Sequence, residues 1–240
     1  MSNTHTGVAA RARRAIGDTG PGPHARGLLL ALSVTAMVAA QSPAAPGIHP
    51  DSLSRVPPVQ RDSLDADGKR VWDYIAGTTA NKVMPPMGPA PVSMYSPKLA
   101  EPMHAINQYL RSSVVGARYF ELSALMAARE FDQQYEWSGH EPAALRAGVE
   151  QRVIDVIKFN RDVSGLSDKD ATAIRFGRAL LRDHKVAPEL WTQTVGHFGR
   201  QGAIEIAAII GDYVMAGLLL TAVDQQLPAD RQPLLPELRR

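Results

Sequence analysis

The run from Ala203 to Val223, AIEIAAIIGDYVMAGLLLTAV, is apolar on nearly every side of a helix. A helix of that kind must be surrounded, either by lipid or by other parts of the protein. Glu205 and Asp212 argue against lipid, because an acid near a bilayer centre costs about 2.5–3.5 kcal/mol on insertion scales. The expectation is therefore a central core helix, also suited to a subunit interface, with no stable membrane span in the mature chain. A core helix needs partners, and the preceding sequence supplies them.

Ser63–Ala76 carries Val71, Trp72 and Ile75 at helical spacing. Gly77 to Pro97 holds five prolines and reads as neither helix nor central strand, a loop placed to cover a pocket or simply to pack on the surface. Ser96-Pro97 is a helix start, with Ser as N-cap and Pro in the first turn. That helix runs to about Ser112, with Leu99, Met103, Ile106 and Leu110 on one face. A second spans about Ala117–Phe131, where Phe120, Leu125 and Met126 pack and Ala124, Ala127 and Ala128 permit close approach. Asp132 is a candidate cap for the next helix, which Pro142 kinks and Gly148 ends. Further helices are expected at about 149–160, 167–184 and 188–198, with Ser167 capping the middle one and Asp168 and Asp170 in its first turn. No stretch requires a strand, and the fold class is all-α.

The ends read differently. Residues 1–40 contain Arg11, Arg13, Arg14 and Arg26 ahead of the apolar run LLLALSVTAMVAA, the shape of a signal peptide cleaved after about Ala40. Export to the periplasm follows if it is cleaved, and a cytoplasmic location if it is not; an anchoring helix or a misassigned start are the alternatives. Residues 41–62 are Pro/Ser-rich and read as a linker, 63–224 as the helical domain, and 225–240 as a polar tail.

The net charge of +2 lies in the leader, whose four arginines and one acid give +3, so the remainder sums to about −1. A near-neutral body lacks the basic face that nucleic acid demands. There is no cysteine, which excludes thiol catalysis, disulfides and Cys-ligated zinc.

The chemistry concentrates in Tyr119–Gly148. Glu136 and His140 lie four apart and share one helix face, so the carboxylate can orient the imidazole and raise its proton affinity. The plain alternative is a helix-surface ion pair. Glu121 sits among Ala and Leu, where a buried carboxylate needs a partner; Arg118 or Arg129 can supply it. Glu121, Glu136 and His140 are the candidate catalytic residues. Tyr135 and Trp137 are candidate substrate-binding residues, Trp137 helping to exclude water. Arg118 and Arg129, with Arg111 and Arg200, can hold a carboxylate in bidentate fashion or stand as solvated charges. Two ligands at Glu136 and His140, completed by His184, His197 or Glu205, would make a metal site. No second ligand pair and no HExxH accompany them, so neither metal nor cofactor is expected. GxSxG, GxxxxGK[ST] and GxGxxG are absent.

Three segments, SMYSPKLAEPMHAINQYLR (93–111), FELSALMAAREFDQQYEWSGHEPAALRAGV (120–149) and HFGRQGAIEIAAIIGDYVMAGLL (197–219), resemble the carboxymuconolactone decarboxylase family, which includes the AhpD-type peroxidases. The resemblance covers about 65–224. It implies an oligomeric all-helical bundle, usually a trimer or hexamer, acting on a small molecule. The AhpD-type spacing E-x11-C-x2-C-x3-H falls on Glu121, Gln133, Glu136 and His140, so both cysteine positions hold other residues. What remains is cofactor-free decarboxylation of a carboxylated or lactone-like substrate. In that reading His140 moves the proton, Glu136 tunes it, Glu121 completes the relay and an arginine holds the carboxylate. A non-catalytic oligomeric binding or structural protein of the same fold is the alternative.

Overall fold

The computed structural model describes residues 46–77, 84–85 and 87–238. The expected leader, the start of the linker and part of the Pro-rich loop lie outside the described residues. Among the described residues eight α-helices follow in order: α1 (Ala66–Ala76), α2 (Pro89–Ser93), α3 (Pro97–Arg111), α4 (Gly116–Glu130), α5 (Gln134–Arg146), α6 (Gln151–Lys158), α7 (Asp168–Arg178) and α8 (Pro188–Ala222). Among the same residues there is no strand, and the β feature present is an isolated bridge between His49 and Ser54.

The helix ends follow local chemistry. α1 begins at Ala66 rather than Ser63, because Asp65 is the N-cap and accepts from the Gly68 amide at 2.7 Å. The Pro-rich loop is not wholly irregular. Pro89, whose missing N–H is no loss in a first turn, opens the short α2. α3 starts at Pro97 after Ser96, although the serine side chain makes no capping bond. Ser167 caps α7 through its hydroxyl, which accepts from the Asp170 amide. α7 passes into a π-helical stretch, Ala179–Asp183, that ends at left-handed His184. Gly199, with φ at 70° and ψ at 170°, breaks α8 where the sequence separates two helices.

α4 is the element surrounded on all sides: every residue from Tyr119 to Arg129 is buried. One face carries Phe120, Ala124 and Ala127 against Leu110 of α3 and Ile209 and Tyr213 of α8. Another presents Leu122, Leu125 and Met126 to Trp137 of α5, Val153 and Ile154 of α6 and Ile174 of α7. The alanines let these helices approach closely, which is how a single helix meets neighbours on both sides. α3 follows its expected face only in part: Leu110 is buried and Met103 half-buried as expected. Leu99 and Ile106 are exposed. Ala100 instead packs in one buried cluster with Val71, Met84 and Met94.

α8 is long and apolar enough to cross a membrane by length and composition, and half of its most apolar window is buried in the fold. Its two acids are satisfied internally. Glu205 accepts from Ser113 Oγ and Tyr109 Oη, each at 2.6 Å, and from the Val114 amide at 3.0 Å. Those bonds hold its carboxyl down at about 2 against the opposing effect of desolvation. The outer face of α8 stays exposed at Ile204, Ala208, Gly211 and Leu218.

The described parts of the expected linker and of the expected tail are both tied to the helices. The Arg55 amide donates to Val223 O and the Gln226 amide to Leu53 O, each at 2.7 Å. Leu235, from the expected tail, is buried in the main core.

Candidate functional site

The site begins at the turn between α4 and α5. Asp132 takes a left-handed conformation and pairs with Arg129, so it is not the cap of α5. Gln133 takes that role. Its Oε1 accepts from the Tyr135 amide at 3.1 Å, while its Nε2 donates to Gly217 O at 3.2 Å and Thr221 Oγ1 at 3.0 Å. The start of α5 is thereby fixed to α8, and the face bearing Glu136 and His140 is aimed between α4 and α8.

There the imidazole of His140 is held between two carboxylates. Nδ1 lies 2.6 Å from Glu121 Oε2 and Nε2 lies 3.4 Å from Glu136 Oε2. The Tyr213 ring meets the imidazole edge-on at 4.6 Å between centroids. Burial alone would lower the imidazole pKa, but Glu121 and then Glu136 more than offset it and raise it to about 9. At neutral pH His140 is an imidazolium, with both nitrogens donating. Glu136 Oε1 is buried with no hydrogen-bond partner. That is costly for a carboxylate oxygen, and the atom belongs to a residue that lines a cavity.

The cavity has a volume of about 370 Å³. His140 and Glu136 meet Tyr135, Tyr213, Asp212, Asn107, His104, Arg111 and Arg231 around it, with apolar walls from Ile75, Pro89, Ala90, Met103 and Ala216. Asn107 Nδ2 donates to Asp212 Oδ2 at 2.8 Å. Burial nevertheless pushes the Asp212 carboxyl up, and the charge of Glu136 adds to the effect. Burial and the nearby Arg111 charge push the His104 imidazole down. Burial also raises the Tyr213 and Tyr135 phenols.

The structure brings Glu121, Glu136 and His140 together, with Tyr135 beside them on the cavity wall. Glu121 sits behind the imidazole rather than on the wall, and its partner is His140, not an arginine. The other expected binding residues are elsewhere. Arg118 bonds Glu150 at 2.6 Å and Asp170 at 3.0 Å. Arg129 is buried and donates to Lys158 O and Pro236 O. Trp137 is fully buried in the core, and its indole N–H donates to Glu141, which Lys158 also meets at 2.9 Å. All three hold helices together. Of the four arginines considered as anion binders, Arg111 faces the cavity. Sequence reasoning missed Arg231, Asn107, Asp212 and Tyr213 as wall residues. Asp212 did carry a signal, an acid inside an otherwise apolar helix. Among the described residues no group of three or more His, Asp or Glu side chains is arranged to hold a metal ion.

No family model and no curated protein matches the sequence at a significant level. Solved structures match in fold. One is a protein of unknown function from Agrobacterium tumefaciens, ATU0492, described as a candidate antioxidant defence protein AhpD. It shares 16% identity over 57% of this chain and 96% of its own, with a TM-score of 0.52. The debrominase Bmp8 matches as a cysteine-to-alanine variant in complex with 2,3,4-tribromopyrrole, at 19% identity, 72% of this chain, 91% of its own and a TM-score of 0.53. Apo Bmp8 matches at 19% identity, 72% of this chain, 92% of its own and the same TM-score of 0.53. At such identities the likeness is one of fold. The chain has the AhpD-like helical fold of the carboxymuconolactone decarboxylase type, and carries it without a single cysteine.

Proposed function

We propose that this protein is a cofactor-free lyase that decarboxylates a small carboxylated or lactone-like molecule by Glu/His proton transfer. The observation that carries the reading is the imidazole of His140, held 2.6 Å from Glu121 and 3.4 Å from Glu136 at the wall of a cavity of about 370 Å³. In the reaction the bond to the departing carboxylate breaks heterolytically and releases CO₂. Its electron pair passes into the lactone as a dienolate, and a proton is delivered to carbon. Glu121 fixes the ring by accepting from Nδ1. Glu136 and His140 both line the cavity with Oε2 3.4 Å from Nε2, so in this reading Glu136 passes the proton between His140 and the substrate as well as tuning the imidazole. Arg111, hydrogen-bonded to Asn107 and Tyr213, is placed to stabilise the developing oxyanion. The likeness to Bmp8, solved with 2,3,4-tribromopyrrole, supports a small ring as the ligand.

The test is NMR of the purified protein in D₂O with a panel of carboxylated butenolides. Loss of CO₂ with deuterium appearing at a ring carbon of the resulting dienolate, either the one that bore it or the one next to the lactone carbonyl, is expected for at least one compound, and is expected to vanish in His140→Ala. A wild-type protein inert to the whole panel, or an unchanged rate in His140→Ala, would end this reading in favour of a non-catalytic binding protein.

The assembly proposed with it is a homo-oligomer. Ile204, Ala208, Gly211, Met215 and Leu218 recur on α8 at alternating spacings of four and three, the pattern of a helix–helix seam, and no charge interrupts them. Light scattering should give a mass that is a multiple of the chain's. The paired change Ile204→Glu and Leu218→Glu should reduce it to one chain; a wild-type monomer would refute the assembly.

A further inference from the structure

The segment after α8 is fastened to α5 and delivers one charged side chain to the cavity. Ser138 Oγ donates to Gln232 O at 3.0 Å. Gln134 donates from Nε2 to Leu235 O at 2.9 Å and accepts on Oε1 from the Leu235 amide at 2.8 Å. Arg129 Nη1 donates to Pro236 O at 2.8 Å, and Leu235 is buried beneath. Just before these bonds, a turn closed by the Arg231 amide on Pro228 O at 2.9 Å sets the direction of the Arg231 side chain. The guanidinium lies over the Tyr135 ring, 4.9 Å from its centroid. Its Nη1 is 4.0 Å from where a side chain on residue 139 would begin, so Gly139 leaves the approach open.

Arg231 lines the cavity, yet among the described residues no carboxylate lies within ion-pair distance of it. Arg111 likewise has the neutral Asn107 Oδ1 at 2.9 Å and Tyr213 Oη at 3.3 Å as partners. Arg61, Arg70, Arg118 and Arg182 each meet an acid, whereas Arg152 and Arg178 bond to carbonyls; what sets Arg111 and Arg231 apart is that they line the cavity. Arg231 also reaches the Tyr135 hydroxyl, but stacking on the ring leaves the rest of its planar fork of donors for an anion. A backbone fixed in advance reduces the ordering cost of using it.

We propose that Arg231 is a specificity-determining residue that binds the carboxylate of a flat, ring-bearing ligand, and that the C-terminal segment is part of the site. The inference rests on the cavity being the substrate site, as above, but not on the chemistry assigned to His140. The test uses benzoate and its neutral analogue benzamide as probes, with the imidazole resonances of His140 in the full chain as the readout. Benzoate should move those resonances saturably. Its dissociation constant should rise about ten- to a hundredfold in Arg231→Ala, the size of a lost charged hydrogen bond. Arg231→Lys should recover part of the affinity, because a point charge replaces a fork. Benzamide should respond equally in all three proteins. The proposal is overturned if benzoate leaves the wild-type resonances unmoved, if it binds Arg231→Ala as tightly as wild type, or if benzamide weakens in parallel. Helical circular dichroism checks that each variant is folded. Proton transfer by Glu136 and His140 is measured separately as deuterium incorporation, so either inference can fail while the other stands.

Discussion

In Glu136→Gln, deuterium incorporation and CO₂ release on a turned-over butenolide should fall by about 10²–10⁴-fold, the usual contribution of a positioned acid or base. The side chain keeps its size and its place on α5, so packing against α4 changes little. What is lost is the carboxylate that meets Nε2 of His140 on the cavity wall. Glutamine can accept one hydrogen bond from the imidazolium but cannot carry a proton. The buried Oε1 has no partner to lose, but Oε2 helps hold the His140 proton, so the substitution should give up part of the stability drawn from that pair while leaving the fold intact. A kcat reduced at little-changed KM is expected, because the group acts in the transition state and not in holding the substrate. Glu121→Gln should behave differently. Glu121 is behind the ring, so its loss should shift the pH profile and reduce kcat less. Rates within threefold of wild type in Glu136→Gln would remove Glu136 from the proton path.

The clustering of Glu121, Glu136 and His140 was legible in the sequence because two of its features are local. A spacing of four puts Glu136 and His140 on one face of any helix, and a carboxylate among alanines and leucines announces that it needs a partner. That the partner is His140, nineteen positions on, depends on how α4 and α5 pack. The arginines show the limit. Arg118 and Arg129 lie nearer to Glu121 in sequence, but Arg118 turns towards Asp170 and Arg129 towards the C-terminal segment. Nothing local distinguishes a guanidinium that ties helices from one that faces a cavity. Arg231 was the least visible, because it follows a proline-containing stretch with no periodicity and owes its position to bonds made by Gln134 and Ser138. Leu99 and Ile106 mislead for a related reason. Hydrophobic spacing locates a face but cannot tell a tight contact over small residues from an apolar surface left exposed.

Stability should fall as pH rises above neutrality, with a sign set by the direction of the His140 shift. In the folded protein the imidazole is raised from 6.5 to about 9; burial works against it, but the bonds to Glu121 and Glu136 prevail. The native state therefore holds this proton more tightly than the unfolded chain. Below about 6.5 both states are protonated and the stabilisation is fully present. As pH rises from 6.5 to 9 the unfolded chain gives up its proton while the native state keeps it, so stability falls across that window and levels off above it. The shift corresponds to about 3 kcal/mol, taking about 1.4 kcal/mol per unit. Urea denaturation at pH 6, 7.5 and 9.5 measures it. The double variant Glu121→Gln, Glu136→Gln supplies the reference, since other titrating groups are common to both proteins. In that variant the two carboxylate charges no longer act on the imidazole, and burial pulls it down against the weaker hydrogen bonds that glutamine accepts. Its stability should therefore fall much less than that of wild type as pH rises from 6.5 to 9. Parallel stability curves for the two proteins from pH 5 to 9.5 would mean that the two carboxylates do not hold the proton on His140. The same result would remove the charge on which proton delivery at neutral pH depends.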